Sequence, residues 1–217
     1  MWVAADRVPL LVIAGVVAAY WYRVVRMARK QRRKTGKAAN LIPPEPLGRL
    51  LRILWFPVIV TWIAHPAVNG LLKDAPPASL RPLYEPRLAG WACMAVVVGG
   101  FVVTRWCWSR MGKSWRMGID PGEKTELVFD GLFGYVRHPI YALSAMMMAA
   151  TMVALPTFLM WVAGTVHIGL LLWESAREER HLVAAHGAAY EEYRRRVGRI
   201  LPRSVRAYAP RVVAAKP

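Results

Sequence analysis

Acidic side chains are scarce in this sequence: Asp and Glu number 13 against 30 Lys and Arg, a formal charge of +17 over 217 residues. Such a basic balance suits nucleic acid only when the cations line one amphipathic face or stripe, and here they fall between apolar runs. No nucleic-acid partner is expected. Cysteine is scarcer still. Cys93 and Cys107 fall in or beside one apolar run, about a helix-length apart, too far to pair within a continuous helix. A disulfide framework and a cysteine-based metal site are therefore not implied. His181 and His186 are five residues apart and do not share a helix face, so no metal is expected there. There is no internal repeat. No convincing small-residue cleavage pattern follows the first apolar stretch, which reads as a retained transmembrane helix.

Apolar and aromatic residues are what the chain has in excess: 56% hydrophobic, mean hydropathy +0.26 and ten tryptophans. An ordinary soluble domain of this size does not reach those values. The expected fold class is all-α: a polytopic membrane protein with about five transmembrane helices, ending in a C-terminal helical hairpin and an interfacial helix. The first span, 8–25, closes on the aromatic cluster Tyr20, Trp21 and Tyr22. Eight cations without an acid follow, from position 23 to 37, which places that loop in the cytoplasm and the N-terminus outside. Pro43, Pro44 and Pro46 then interrupt the chain before a second span, 50–72, which Pro57 and Pro66 are expected to kink.

Four prolines between 73 and 87 mark an external loop, and a third span over 88–103 returns to the cytoplasmic side. Residues 104–130 read as an interfacial loop anchored by Trp106, Trp108 and Trp115, with a lipid-substrate entrance as the sharper reading. The apolar stretch 141–173 is broken at Pro156, giving two short helices joined by a tight turn. Residues 174–197 read as a surface helix broken at Gly187, followed by a basic tail against anionic headgroups. His65 and His167, inside spans, are expected to be hydrogen-bonded in the bundle interior, and Met146, Met147 and Met148 to pack against core or lipid.

One stretch stands out, 131–141, reading Gly-Leu-Phe-Gly-Tyr-Val-Arg-His-Pro-Ile-Tyr. Arg137 and His138 sit at a membrane edge, where ionisable groups either snorkel or contact a ligand or partner charge. The hairpin brings them to the same side as Glu174, Glu178 and Glu179. Glu174 and Glu178 share a helix face, and Glu179 is rotated from it by about 100°. The plain reading is a snorkelling arginine and a solvated glutamate face. The functional reading is a polar site at the hairpin's ends.

The whole pattern supports the second. Leu127-Val128, Gly131-Leu132-Phe133, Arg137-His138-Pro139-Ile140-Tyr141, an apolar hairpin, Glu178-Glu179 with Leu182, then Gly187, Tyr190, Tyr193, Val197 and Pro202 resemble the membrane-embedded methyltransferases typified by isoprenylcysteine carboxyl methyltransferase and the phospholipid methyltransferases. The resemblance covers roughly 106–202. It implies an integral membrane S-adenosylmethionine-dependent methyltransferase acting on a lipophilic small molecule, lipid or lipidated acceptor. By position it implies that Tyr135, His138, Pro139, Tyr141, Glu178 and Glu179 line the cofactor site, with Arg137 and His138 near the reacting centre and the pocket facing the cytoplasm. Many members carry a glycine two residues after the motif tyrosine; here that position is Leu143, and Ser144, Ala142 or Ala145 would supply the close approach.

The chemistry such a cofactor demands fits these residue types. An ammonium group and ribose hydroxyls need carboxylate acceptors, and adenine needs an apolar slot. Transfer from a sulfonium asks the protein mainly to align donor and acceptor and exclude water, so no metal or catalytic triad is required. The chain divides into an N-terminal transmembrane region, 1–105, a methyltransferase core, 106–202, and a basic tail, 203–217. The rival functions are phospholipid N-methylation, an NADPH-dependent membrane reductase sharing related C-terminal architecture, and a non-enzymatic scaffold binding anionic lipid or a partner protein.

Overall fold

The computed structural model describes residues 7–35, 46–72, 77, 80–84, 87–112, 115 and 127–209. Among these, six helices carry the architecture: α1 (Arg7–Thr35), α2 (Pro46–Leu71), α3 (Arg87–Met111), α4 (Pro139–Ala154), α5 (Phe158–His186) and α6 (Ala188–Arg196). A short 3-10 turn, Gly131–Gly134, precedes α4. No strand occurs among the described residues; extended pairing is confined to an isolated parallel bridge between Val136 and Gly198.

Four helices are long and apolar enough to cross a membrane: α1, α2, α3 and α5. The fifth, α4, has 16 residues, or about 24 Å at 1.5 Å per residue, somewhat short of a hydrocarbon core of roughly 30 Å. The chain is thus an all-α integral membrane protein. Its helices close a ring: α1 packs on α2 and α3, α3 on α4, α4 on α5, and α5 back on α2. The interior is filled by Ile13, Val17, Trp62, Val97, Met147, Met148 and Met160, each essentially inaccessible. Leu50, Ile53, Phe56, Phe158 and Trp161 point outward, where lipid would meet them. Against lipid, helices associate chiefly by close packing and interhelical hydrogen bonds rather than by burial from water. Both appear here. A Cβ at Gly100 of α3 would lie 2.7 Å from Met147 Cγ of α4, and Trp62 Nε1 of α2 donates to Thr151 Oγ1 of α4 at 2.9 Å.

Three helices run past the ends expected from hydropathy. α1 continues from 25 to Thr35, α3 from 103 to Met111, and α5 from 173 to His186. In each case the apolar run stops but the helix does not; in α1 and α5 this is because Arg, Lys, Met, Glu and Ala are strong helix formers that extend it into the interface. The break lies at Gly187, as expected, and the surface helix begins after it rather than at 174. Gly187, at φ 54° and ψ −131°, holds a backbone conformation that favours glycine. α2 passes uninterrupted through Pro57 and Pro66. The hairpin turn sits where Pro156 indicated, with Thr157 capping α5 by accepting from Met160 N at 3.0 Å and meeting His65 Nε2 at 2.8 Å.

Trp108 and Trp115 correct an expectation. They are 4% and 6% exposed, inside the ring rather than at its edge, because the extension of α3 carries Trp108 inward. Trp106, 41% exposed, stays on the outside. The Pro43–Pro44 link, much of the 73–87 loop, most of 113–126 and the last eight residues of the basic tail lie outside the described residues.

Candidate functional site at the open end of the helix ring

The stretch 131–141 is held from both sides by the C-terminal segment. Arg137 N donates to Gly198 O at 2.8 Å and His138 N to Arg199 O at 3.0 Å, extending the Val136–Gly198 bridge. Tyr193 Oη donates to Phe133 O at 2.5 Å, and Tyr208 N to Gly134 O at 2.9 Å. Gly198 is obligatory in this strap: a Cβ there would lie 1.8 Å from the Leu201 carbonyl oxygen. Pro139 occupies the first turn of α4, where its missing N–H costs nothing. The helix thus starts immediately after two fixed side chains.

Those side chains meet the end of α5. The buried Arg137 guanidinium forks onto Glu179 Oε1, from Nε at 2.8 Å and Nη2 at 2.6 Å, while Nη1 donates to the carbonyls of Arg194 (2.9 Å) and Val197. Its donors are almost all committed, and it ties α4, α5 and α6 together. Glu179 also meets Arg199 Nε at 3.2 Å. His138 lies between the two glutamates, Nδ1 3.5 Å from Glu178 Oε2 and Nε2 3.5 Å from Glu179 Oε1. Burial works to lower the His138 pKa, but the two carboxylates outweigh it and raise the value.

A raised folded-state pKa means that the stabilisation from charged His138 is complete below the unfolded value of about 6.5 and is lost as pH rises through the folded value. Wild-type protein in nanodiscs is therefore expected to lose thermal stability as pH climbs from about 6.5, with that slope reduced in His138→Gln. Parallel profiles for the two proteins would contradict the assignment.

Above this anchor lies a cavity of about 210 Å³. One wall is aromatic: Tyr20 and Trp21 from α1, Trp55 from α2, Trp108 from α3, then Trp115 and Tyr141. The other is polar, with Glu174, Glu178 and His181 from α5, Arg52 from α2, and Arg137 and His138. Leu127, Val128, Phe133, Tyr190 and Tyr193 complete an apolar corner. Tyr141 stacks flat on His138, 3° from parallel, and its hydroxyl donates to Glu178 Oε1 at 2.5 Å. Glu174 accepts two bonds from Arg177, at 3.0 and 3.2 Å. Five polar atoms of wall residues, Trp21 Nε1, Arg52 Nε, His138 Nε2, His181 Nε2 and Tyr190 Oη, are buried without a hydrogen-bond partner among the described residues. Buried polar atoms are ordinarily satisfied, so a polar ligand has groups to engage here.

Of the residues singled out from sequence, Arg137, His138, Pro139, Tyr141 and Glu178 all line this cavity. Glu179 sits behind it in the ion-pair anchor, the result of its rotation by about 100° from Glu178. Tyr135 is half-buried and does not face the cavity. Leu143 is likewise not in the wall, whereas Ser144 is. Sequence reasoning missed Tyr20, Arg52 and Trp55, contributed by helices from the first half of the chain. Arg52 had one legible signal, a cation within the first turns of an apolar helix. Tyr20 and Trp55 had none, since aromatic residues near a span's end read as interfacial belt.

Residues 88–189 match the family described as phospholipid methyltransferase. A methanethiol S-methyltransferase of Crocosphaera subtropica (strain ATCC 51142 / BH68) is 27% identical over 198 residues, 89% of this chain and 74% of that protein. A protein-S-isoprenylcysteine O-methyltransferase of Schizosaccharomyces pombe (strain 972 / ATCC 24843) is 37% identical over 81 residues, 35% of this chain and 33% of that one. No solved structure matches. The matched segment contains α3, α4, α5 and the start of α6, and with them most of the cavity wall. The chain is an integral membrane methyltransferase whose residues 88–189 match the phospholipid methyltransferase family model.

Proposed function

We propose that the methyl donor is S-adenosylmethionine, that it binds in the cavity at the end of the ring, and that the acceptor is a lipophilic molecule entering from the bilayer. The observation that carries this reading is the composition of this cavity: carboxylates, partnerless buried polar atoms and an aromatic enclosure together. The donor, when bound, supplies a sulfonium-activated methyl group. Glu174 and Glu178 would accept hydrogen bonds from its ammonium group and ribose hydroxyls, and His181 and Arg52 offer further polar atoms. The corner of Leu127, Val128 and Phe133 would take the adenine. Tyr141, fixed by His138 and Glu178, would hold the donor in place, and the tryptophans would exclude water from the acceptor.

Arg137 has a different role in this reading. With its guanidinium engaged by Glu179 and two carbonyls, it holds the site's frame rather than orienting the acceptor. The basic loops would place the cavity's mouth on the cytoplasmic side, where a water-soluble donor arrives.

For the acceptor, a thiol is the reading with the widest support in sequence. The relative whose name specifies a thiol aligns over 89% of the chain, and the isoprenylcysteine methyltransferase over 35%. The deciding experiment uses purified protein in lipid nanodiscs with methyl-labelled S-adenosylmethionine and three probes: a long-chain alkanethiol, a prenylated cysteine carboxylate and phosphatidylethanolamine. Label is expected in the thiol first. Label in phosphatidylethanolamine alone would favour phospholipid N-methylation, and NADPH binding without S-adenosylmethionine binding would overturn the proposal.

A further inference from the structure

The apolar side of the cavity contains a buried polar chain that the cofactor reading leaves unused. Trp55 Nε1 donates to His167 Nδ1 at 2.9 Å, His167 Nε2 lies 3.0 Å from Ser144 Oγ, and Ser144 lies beside Tyr20 in the cavity wall. The four come from α2, α5, α4 and α1, and each is more than nine-tenths buried. Trp62 closes over the His167 ring edge-on at 4.8 Å.

Direction in this chain is set by its first member. An indole N–H can only donate, so His167 Nδ1 must be the acceptor and the ring must be neutral with its proton on Nε2. That proton goes to Ser144 Oγ. Ser144, accepting that proton, keeps its own O–H to direct towards Tyr20, with which it lines the cavity, and the Tyr20 O–H is then left for the cavity. The bonds from Trp55 to Ser144 point the same way, and each polarises the next. The chain has no site for an incoming proton, because Nδ1 is occupied by Trp55 and Nε2 already carries hydrogen. It is a fixed donor, not a base.

We propose that Trp55, His167, Ser144 and Tyr20 form an acceptor subsite in which the Tyr20 hydroxyl donates to a proton-free, anionic atom of the methyl acceptor, a thiolate sulfur or a carboxylate oxygen. This rests on the methyltransferase reading above and narrows its substrate class. A thiolate or carboxylate oxygen has lone pairs enough to accept this bond and still attack. A neutral amine has one, and a hydrogen bond to it blocks the nucleophile. Transfer to the anion balances without a proton sink in the site, a thiol having given up its proton to solvent before it binds: the acceptor's lone pair forms the new bond to carbon, the C–S bond of the sulfonium breaks with its pair retained on sulfur, and the two charges cancel. Tyr20 and Ser144 touch the acceptor's side of the cavity. Trp55 and His167 act through them as positioning residues.

The test uses the full chain in nanodiscs, with 1-octanethiol and phosphatidylethanolamine as probes. Tyr20→Phe is expected to raise KM for octanethiol about tenfold or more, the loss of a hydrogen bond to a charged group, with kcat changed less than threefold and S-adenosylmethionine affinity unchanged. His167→Gln, whose amide can accept from Trp55 and donate to Ser144, should keep KM near wild type where His167→Ala does not. Histidine-selective 15N NMR supplies a readout independent of turnover: His167 should be neutral and Nε2-protonated in wild type, and lose that single tautomer in Trp55→Phe. An unchanged KM in Tyr20→Phe, methylation of phosphatidylethanolamine but not octanethiol, or a proton on His167 Nδ1 would each overturn the subsite. Failure of wild type to bind S-adenosylmethionine would instead sink the underlying reading, and the NMR result would still decide the chain's polarity.

Discussion

Arg137→Met is expected to cost about 3–5 kcal/mol of stability, because it strands a buried carboxylate. Glu179 is 3% exposed at its side chain, and Arg137 supplies its two shortest contacts. Arg199 and the more distant His138 remain nearby but do not replace the fork. The loss also releases two carbonyls at the end of α6, so the strap from 197 to 199 should loosen with it. Thermal unfolding in nanodiscs reads the effect directly. Arg137→Lys should recover little, since an ammonium cannot span a carboxylate and two carbonyls in one plane. The double variant Arg137→Met with Glu179→Leu should be more stable than Arg137→Met alone, because removing both charges removes the stranded one. Equal stability of Arg137→Met and wild type would show that the ion pair contributes nothing to the frame.

The neighbouring carboxylate predicts the opposite separation. Glu178→Gln should weaken S-adenosylmethionine binding by about 1.5–3 kcal/mol, roughly tenfold to a hundredfold, the usual worth of a hydrogen bond to a charged group. The fold should survive. Glu178 is 19% exposed at its side chain, and its partner Tyr141 would keep an amide oxygen to donate to. Glu179→Gln, one residue on, should cost stability first. The pair of substitutions therefore distinguishes the wall of the cavity from its anchor, by calorimetry for one and unfolding for the other. A non-enzymatic scaffold predicts no binding to lose at Glu178.

How far the sequence could be read follows from what each signal measures. Apolar runs located the five apolar helices, α1 to α5, and the Pro156 break located the hairpin turn, because both are local. Hydropathy could not locate the helix ends, since it records where the apolar run stops while the helix continues to Thr35, Met111 and His186, in the first and last through Arg, Lys and Glu. On the site, 3.6-residue periodicity separated Glu174 and Glu178 from Glu179, and the structure puts the first two in the cavity wall and the third on Arg137. What stayed hidden was long-range. Tyr20, Arg52 and Trp55 reach the cavity through the packing of α1 and α2 in the ring, and the strap contacts of Gly198 and Arg199 lie some 60 residues beyond Arg137. His167 was legible as an interior hydrogen bonder. Its partners Trp55 and Ser144, on two other helices, were not.

The central claim is that the cavity between the aromatic wall and Glu178 holds the methyl donor. Isothermal calorimetry of nanodisc-embedded protein with S-adenosylmethionine and with its demethylated product tests it most directly. Saturable binding at one site per chain, weakened in Glu178→Gln while unfolding is unchanged, is the predicted result. No binding by wild-type protein, or binding that Glu178→Gln leaves intact, would contradict it.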